Sequence, residues 1–109
     1  MGDFLETSSL DWRPLRPDVA HGVFGATLLG NGTTMMLVRV EAGGGFANHR
    51  DGHGHLFYFL AGEGIVRVGD REVPATQGLV VRVAAGEDHS YGNSGAGELT
   101  LISVNVPQE

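Results

Sequence analysis

Short apolar runs separated by glycine-containing turns make up most of this chain, and none of the runs follows the period of a long amphipathic helix. The pattern predicts strands over residues 23–29, 33–40, 56–60, 65–68, 71–74, 78–83 and 99–106, with a further strand beginning at residue 89. Short strands at this spacing are typical of a β-sandwich or a closed β-barrel. The sequence therefore predicts an all-β fold.

Three of these segments carry more detailed predictions. The unbroken apolar run at residues 56–60 is typical of a strand that is buried on both faces. The glycines at 43–45 are expected to end the preceding strand. Residues 71–74 are polar and include Pro74, which cannot donate a hydrogen bond to a neighbouring strand, so this segment is expected at a sheet edge.

Residues 1–20 show little pattern and are predicted to form an N-terminal arm, followed by one β-barrel domain over residues 21–109. Trp12, Pro14 and Pro17 indicate an extended segment that lies across an apolar surface. Two interpretations remain open for this arm. It either covers the barrel of its own chain or pairs with a second subunit.

The composition limits which binding partners and which cellular location are expected. The chain has 18 glycines among 109 residues, well above the average usage of about 7%, as expected for many tight turns. Its net charge of −6 argues against nucleic acid or an anionic membrane as a partner. The absence of cysteine excludes disulfides and thiolate ligands. No basic leader or long apolar segment is present, so a cytoplasmic location is expected.

Four of the five histidines occur in two places that suggest metal binding. His49, His53 and His55 lie within seven residues, and His89 lies much later, after a tight turn. His55 and His89 each open a predicted strand, and His49 ends the glycine-rich approach to the strand that His55 opens. Residues at strand openings point into the mouth of a barrel, where small-molecule sites usually form. We therefore expect these three imidazoles to hold one divalent ion, and imidazole suits zinc, iron, manganese or nickel.

Two motifs in this region resemble those of the cupin superfamily. In the first, Gly43 or Gly44 precedes His49-Arg50-Asp51 at the position of a histidine pair, and His55 and Gly62 follow. The second contains Gly78, Ala84, Gly86, His89 and Asn93, with Ala84 in place of the usual proline. The resemblance implies a double-stranded β-helix, that is a jelly-roll β-barrel, in a small single-domain protein similar to polyketide cyclases or dioxygenases.

The resemblance also implies a ligand set, with two departures from the family pattern. Asp51 stands where the second histidine is usual, and His55 stands where a glutamate is usual. By position the ligands are His49, Asp51, His55 and His89. The glycines on either side of His53 make its loop flexible, so His53 remains an alternative to Asp51 as the fourth ligand.

Strand alternation predicts the surroundings of the ion. Phe57 and Phe59 share the face of His55, and Tyr91 shares that of His89. Phe46 is also expected at the pocket, together with Met36 or its neighbour Met35. This cavity is mostly apolar and suits a small hydrophobic or aromatic molecule that bears a carbonyl group. Tyr91 and His53 are the candidates for moving a proton.

The leading functional interpretation is a metal-dependent enzyme of cyclase, dioxygenase or isomerase type. The alternative is a non-catalytic barrel that binds or senses a small ligand. A sensor domain detached from a DNA-binding partner is the third interpretation, but the acidic charge and the lack of a helix-turn-helix disfavour it. Because cupins commonly pair, a homodimer is also expected.

Overall fold

The computed structural model describes residues 4–107, with Leu29 and Asn31 described by their backbone alone. Residues 1–3 of the predicted arm and 108–109 of the predicted domain lie outside this range. One short 3-10 helix, Thr7–Ser9, precedes nine strands: β1 (Arg13–Pro14), β2 (Ala20–Asn31), β3 (Thr33–His49), β4 (Gly54–Ala61), β5 (Gly64–Val68), β6 (Arg71–Ala75), β7 (Val80–Val83), β8 (His89–Asn93) and β9 (Leu99–Val106). No helix in this part of the chain is long and apolar enough to cross a membrane.

All strand pairings are antiparallel, and they join the nine strands into one curled sheet. Seven strands follow the order β6-β5-β8-β3-β9-β4-β7, and β2 pairs with both β3 and β1. The long strand β3 belongs to both halves of the fold, because its first part pairs with β2 and β9 and its last part pairs with β8. The result is the jelly-roll β-barrel that the sequence resemblance implies. Strands β6 and β7 stand at the two ends of the order, so the polar segment around Pro74 lies at an edge as predicted.

The core lies between the two halves of the curled sheet and follows strict strand alternation. His55, Phe57 and Phe59 of β4 are buried, as are His89 and Tyr91 of β8. Valines and leucines from β3 and β9 complete this core. The inward faces of β4 and β8 therefore each carry a histidine at one end of the barrel and aromatic residues below it, as the alternation predicts.

The prediction that the 56–60 segment is buried on both faces is wrong. Leu56 and Tyr58 are 39% and 46% exposed, whereas their neighbours Phe57 and Phe59 are buried. An antiparallel sheet can leave one face open to solvent, and no helix among the described residues covers this one. The apolar outward residues of β4 therefore belong to the surface.

The three glycines at 43–45 do not end the preceding strand, which is also contrary to the prediction. Strand β3 continues through them to His49, and Gly43 has a φ of +80°. A Cβ atom on Gly45 would lie 2.7 Å from the carbonyl oxygen of Tyr91. These glycines let β3 bend from one half of the barrel to the other and approach β8 closely.

Residues 12–19 of the N-terminal arm lie on the barrel of their own chain. Strand β1 pairs with β2, and the Leu15 amide donates to the carbonyl oxygen of Val23 at 3.0 Å. On the outward face of the sheet, the guanidinium of Arg39 in β3 lies 4.6 Å from the centre of the Trp12 ring. These contacts correspond to the first of the two interpretations left open for the arm, in which it covers its own barrel, and they extend over residues 12–19.

Candidate metal centre

The jelly-roll topology brings three strand ends together at one mouth of the barrel. His49 is the last residue of β3 and pairs in register with His89, the first residue of β8. His55 is the second residue of β4. The ring centres of His49 and His55 lie 4.3 Å and 4.8 Å from that of His89. Residues that are up to 40 positions apart in the sequence thus form one cluster.

Each of these three rings is held through its Nδ1 atom by an oxygen that can only accept a hydrogen bond. The acceptors are the Ala47 carbonyl for His49 at 2.7 Å and the Glu87 carbonyl for His89 at 2.9 Å. For His55 the acceptor is the side-chain oxygen of Asn105, also at 2.9 Å. Each Nδ1 therefore carries a proton, and Nε2 is the ring atom that a metal ion would bind, in place of any proton that Nε2 carries without the ion.

The three Nε2 atoms converge on one carboxylate oxygen. The Oδ2 atom of Asp51 lies 2.7 Å from Nε2 of His55, 3.2 Å from that of His49 and 3.4 Å from that of His89. The other oxygen, Oδ1, accepts a hydrogen bond from Arg16 at 3.0 Å. Asp51 thus occupies the centre of the cluster.

The protonation states of the cluster suit metal binding. Burial alone would raise the pKa of Asp51, but hydrogen bonds from His55 and Arg16 outweigh this effect and lower that pKa to about 2. Burial lowers the pKa of His89. At neutral pH the site therefore presents an anionic oxygen and a neutral His89 imidazole, the forms in which these groups bind metal ions.

The residues at this site fit a divalent ion by the chemistry of their donor atoms. Two groups of potential ligand atoms overlap at Asp51, one with His49 and His89 and the other with His53 and His55. Three imidazole nitrogens and one carboxylate oxygen form a donor set suited to zinc, iron, manganese or nickel. His53 packs edge-to-face on His55 with the ring centres 4.8 Å apart, so it borders the cluster.

A cavity of about 240 Å³ extends from this cluster into the barrel. Met36, Phe46, Phe57 and Tyr91 contribute to its walls, as expected from the sequence, together with Leu15, Val38 and Ser103. Phe59, which was also expected at the pocket, does not line it. Its side chain is fully buried in the core below, because β4 carries it further from the mouth than Phe57.

Two residues at the site were missed by the sequence analysis. Asn105 orients His55, its partner in the β4–β9 register, and strand alternation from the buried Leu99 and Leu101 would have placed it inward. Arg16 lies in the weakly patterned arm, where no periodicity could place it. Asn93, the last residue of the second motif, binds the carbonyl oxygens of Val40 and Gly97, so it holds a turn and does not face the ion site.

Comparison with known families agrees with the fold and the motifs. The sequence profile of the cupin domain matches residues 36–105, which is more than half of the chain. The chain belongs to the cupin family. The match includes His49, Asp51, His55 and His89, whereas Arg16 and the arm lie outside it. No curated protein sequence matches the chain.

Several solved cupin structures are similar to this chain at low sequence identity. A predicted oxalate decarboxylase from Thermotoga maritima superposes with a TM-score of 0.87 at 23% identity, covering 97% of this chain and 100% of that one. The polyketide cyclase RemF from Streptomyces resistomycificus gives 0.85 at 16%, covering 96% and 79%. KdgF from Halomonas sp. gives 0.86 at 15%, covering 98% and 96%. At such identities the similarity establishes the fold.

The hydrogen bond from His55 to Asn105 gives a test of how the cluster is oriented. We expect Asn105→Leu to weaken Zn²⁺ binding by about 10–100-fold, since the His55 ring loses the acceptor that keeps the proton on Nδ1. A competition titration against a chromophoric chelator measures this affinity. Ser103→Ala, on the same strand and the same face, serves as the control and should bind Zn²⁺ like the unmodified protein. Equal affinities in the two variants would contradict the orienting role of Asn105.

Proposed function

We propose that this cupin is a metal-dependent enzyme that acts on a small, largely hydrophobic or aromatic molecule bearing a carbonyl group. One observation carries the proposal. The three imidazoles of His49, His55 and His89 donate through Nδ1 to fixed acceptors and present Nε2 to the Asp51 carboxylate at the head of an apolar cavity.

The proposed ligands are His49, Asp51, His55 and His89, with His53 beside them. When bound, a divalent ion supplies a Lewis acid that polarises a substrate oxygen, or a redox centre if the ion is iron or manganese. Four protein ligands would leave positions open for a substrate on an ion that takes six ligands, such as iron, manganese or nickel, whereas they would complete the coordination of a tetrahedral zinc ion.

The size and walls of the cavity support the substrate class. Its volume of about 240 Å³ lies below the roughly 300–1,000 Å³ of sites for drug-sized ligands, so the substrate is small. Phe46, Phe57 and Met36 give it apolar walls that exclude water and favour a ring or an alkyl chain. Of the two activities named for the similar structures, polyketide cyclisation fits these apolar walls better than decarboxylation of oxalate, because oxalate has no apolar part.

Two side chains support the proposed transfer of protons and hydrogen bonding to the substrate. Tyr91 lines the cavity, and burial raises the pKa of its phenol, so its hydroxyl stays protonated and donates a hydrogen bond to a substrate oxygen. His53 is half-buried at the mouth, between the cavity and solvent. In the proposed reaction His53 moves a proton between the substrate and solvent.

Metal content is the first test of this function. The protein purified without added metal should contain close to one equivalent of zinc, iron, manganese or nickel by elemental analysis. The variants His49→Ala, His55→Ala and His89→Ala should each lose this metal. His21→Ala is the matched control, because His21 is exposed and its Nε2 binds the Gly43 carbonyl oxygen away from the cluster.

Turnover separates the enzyme from its alternative, a barrel that only binds a small ligand. The metal-loaded protein should convert at least one member of a panel of small aromatic ketones, enols and acids, followed by NMR, and His89→Ala should convert none. Metal binding without turnover of any compound that binds would favour the non-catalytic alternative. Absence of metal from the unmodified protein, and failure to take it up, would overturn the proposal itself.

We also propose that the protein pairs as a homodimer through the outward side of the β3-β9-β4-β7 sheet. Neighbouring strands align apolar residues there, since Tyr58 faces both Ile102 and Val80 in register, and Leu56 faces Val104. Five of the eight large hydrophobic side chains exposed in residues 4–107 lie on this side: Met35, Leu56, Tyr58, Val80 and Val106. Contiguous apolar surface of this kind marks interaction sites, and a two-fold axis would bury the same residues from both copies.

A charge on this surface should separate the two copies. We expect the unmodified protein to have the mass of a dimer by light scattering after gel filtration at micromolar concentration, and Tyr58→Glu to have that of a monomer. Ile65→Glu is the control, because Ile65 is 39% exposed but lies on strand β5 in the other half of the sheet. A monomeric mass for the unmodified protein would rule out the interface.

A further inference from the structure

The N-terminal arm reaches the candidate metal centre through one side chain. Nη1 of Arg16 donates to Oδ1 of Asp51 at 3.0 Å, across 35 positions of the sequence. Leu15 and Arg16 are the arm residues that line the cavity. Part of the wall beside the centre therefore comes from a segment that lies outside the cupin profile match.

The Arg16 guanidinium is held in a fixed orientation although about half of its side chain is exposed. Nε donates to one oxygen of Asp18 and Nη2 to the other, both at 3.1 Å. A two-point contact of this kind fixes the plane of the guanidinium. The remaining nitrogen, Nη1, is thereby directed at Asp51.

The backbone at Arg16 is strained. Its φ of +40° is the only positive value for a non-glycine residue among residues 4–107. The Arg16 carbonyl oxygen accepts hydrogen bonds from the amides of Val19 at 2.9 Å and Ala20 at 2.8 Å, which maintain this conformation. Strained conformations persist where the surrounding structure imposes them, and they concentrate at functional sites.

The neighbouring residue anchors the arm inside the barrel mouth. Leu15 fills the space that a side chain on Gly25 would take, because a Cβ atom on Gly25 would lie 2.7–2.9 Å from the end of the Leu15 side chain. Gly25 lies on β2, opposite Val38 of β3, which also lines the cavity. The lack of a side chain at Gly25 thus sets where Leu15, and with it Arg16, can lie.

We propose that Arg16 is a positioning residue for Asp51, in addition to the function proposed above and resting on its metal centre. By holding Oδ1 toward the arm, Arg16 leaves only Oδ2 facing the three imidazoles. The same contact links docking of the arm to occupation of the centre. Such a link is reciprocal, so a bound ion strengthens docking of the arm and a docked arm strengthens binding of the ion.

Zn²⁺ affinity tests the first half of this proposal. We expect Arg16→Gln to bind Zn²⁺ about 10–100-fold more weakly than the unmodified protein, in the range usual for residues that orient a ligand. Arg16→Lys should be intermediate, since it keeps the charge but cannot contact Asp18 and Asp51 with a planar fork. The matched control is Arg13→Gln, because Arg13 is also in the arm but its side chain donates to the exposed Asp11 and, within residues 4–107, to no group of the metal centre.

Arm docking has its own readout, because Trp12 is the single tryptophan and lies in the arm against Arg39. We expect Zn²⁺ to reduce acrylamide quenching of Trp12 in the unmodified protein and in Arg13→Gln, and to leave it unchanged in Arg16→Gln. A merely structural role for Arg16 would change quenching equally with and without Zn²⁺. Zinc is the appropriate probe because it has no redox chemistry of its own.

A second variant perturbs the arm without altering any charge. Gly25→Ala displaces Leu15 and, like Arg16→Gln, should weaken Zn²⁺ binding. A thermal melt in EDTA shows whether Arg16→Gln is folded. If it is not, Gly25→Ala provides the test of the positioning role. The positioning role would be overturned if Arg16→Gln and Gly25→Ala had the same Zn²⁺ affinity and the same Trp12 quenching as Arg13→Gln. Failure of the unmodified protein to bind Zn²⁺ or any other divalent ion would instead overturn the metal centre.

Discussion

The convergence of three imidazole nitrogens on the Asp51 carboxylate is the interaction on which the rest of the site depends. Burying a carboxylate is costly unless other groups compensate its charge. Here the compensation comes from two sides, with a hydrogen bond from Nε2 of His55 to one oxygen and the Arg16 guanidinium on the other. A bound ion would replace the Nε2 proton as the positive partner of the carboxylate. The barrel supplies the imidazoles and the arm supplies the guanidinium, so the complete site requires both.

The jelly-roll fold explains why the cluster forms at one end of the barrel. Each histidine lies at or next to the end of its strand, and the strand below it carries the aromatic side chains of the cavity. The backbone carbonyl groups of Ala47 and Glu87, each two residues before its histidine, set the ring orientations. Close passage of β3 along β8 at Gly45 then brings His49 next to His89. The glycine at the bend of β3 thus allows the close strand approach that brings the two histidines at the strand ends together.

Much of this arrangement could be predicted from the sequence, because it depends on short-range rules. Strand alternation predicts that Phe57 and Tyr91 lie below their histidines, and the motif spacing points to Asp51 beside them. The same rules fail where burial depends on what covers a sheet face, as for Leu56 and Tyr58. They also fail for Arg16, since its position is set by the fit of Leu15 over Gly25 and by the contact with Asp18, neither of which has a periodic signal.

The central claim is that His49, His55 and His89 bind a divalent ion through Nε2 and keep the proton on Nδ1. NMR of protein loaded with ¹¹³Cd²⁺ and labelled with ¹⁵N-histidine tests it directly, through one-bond couplings between the metal and ring nitrogens. The expected result is coupling to Nε2 of these three residues and to no nitrogen of His21. Coupling through Nδ1, or coupling that includes His53 but omits one of the three, would contradict the account.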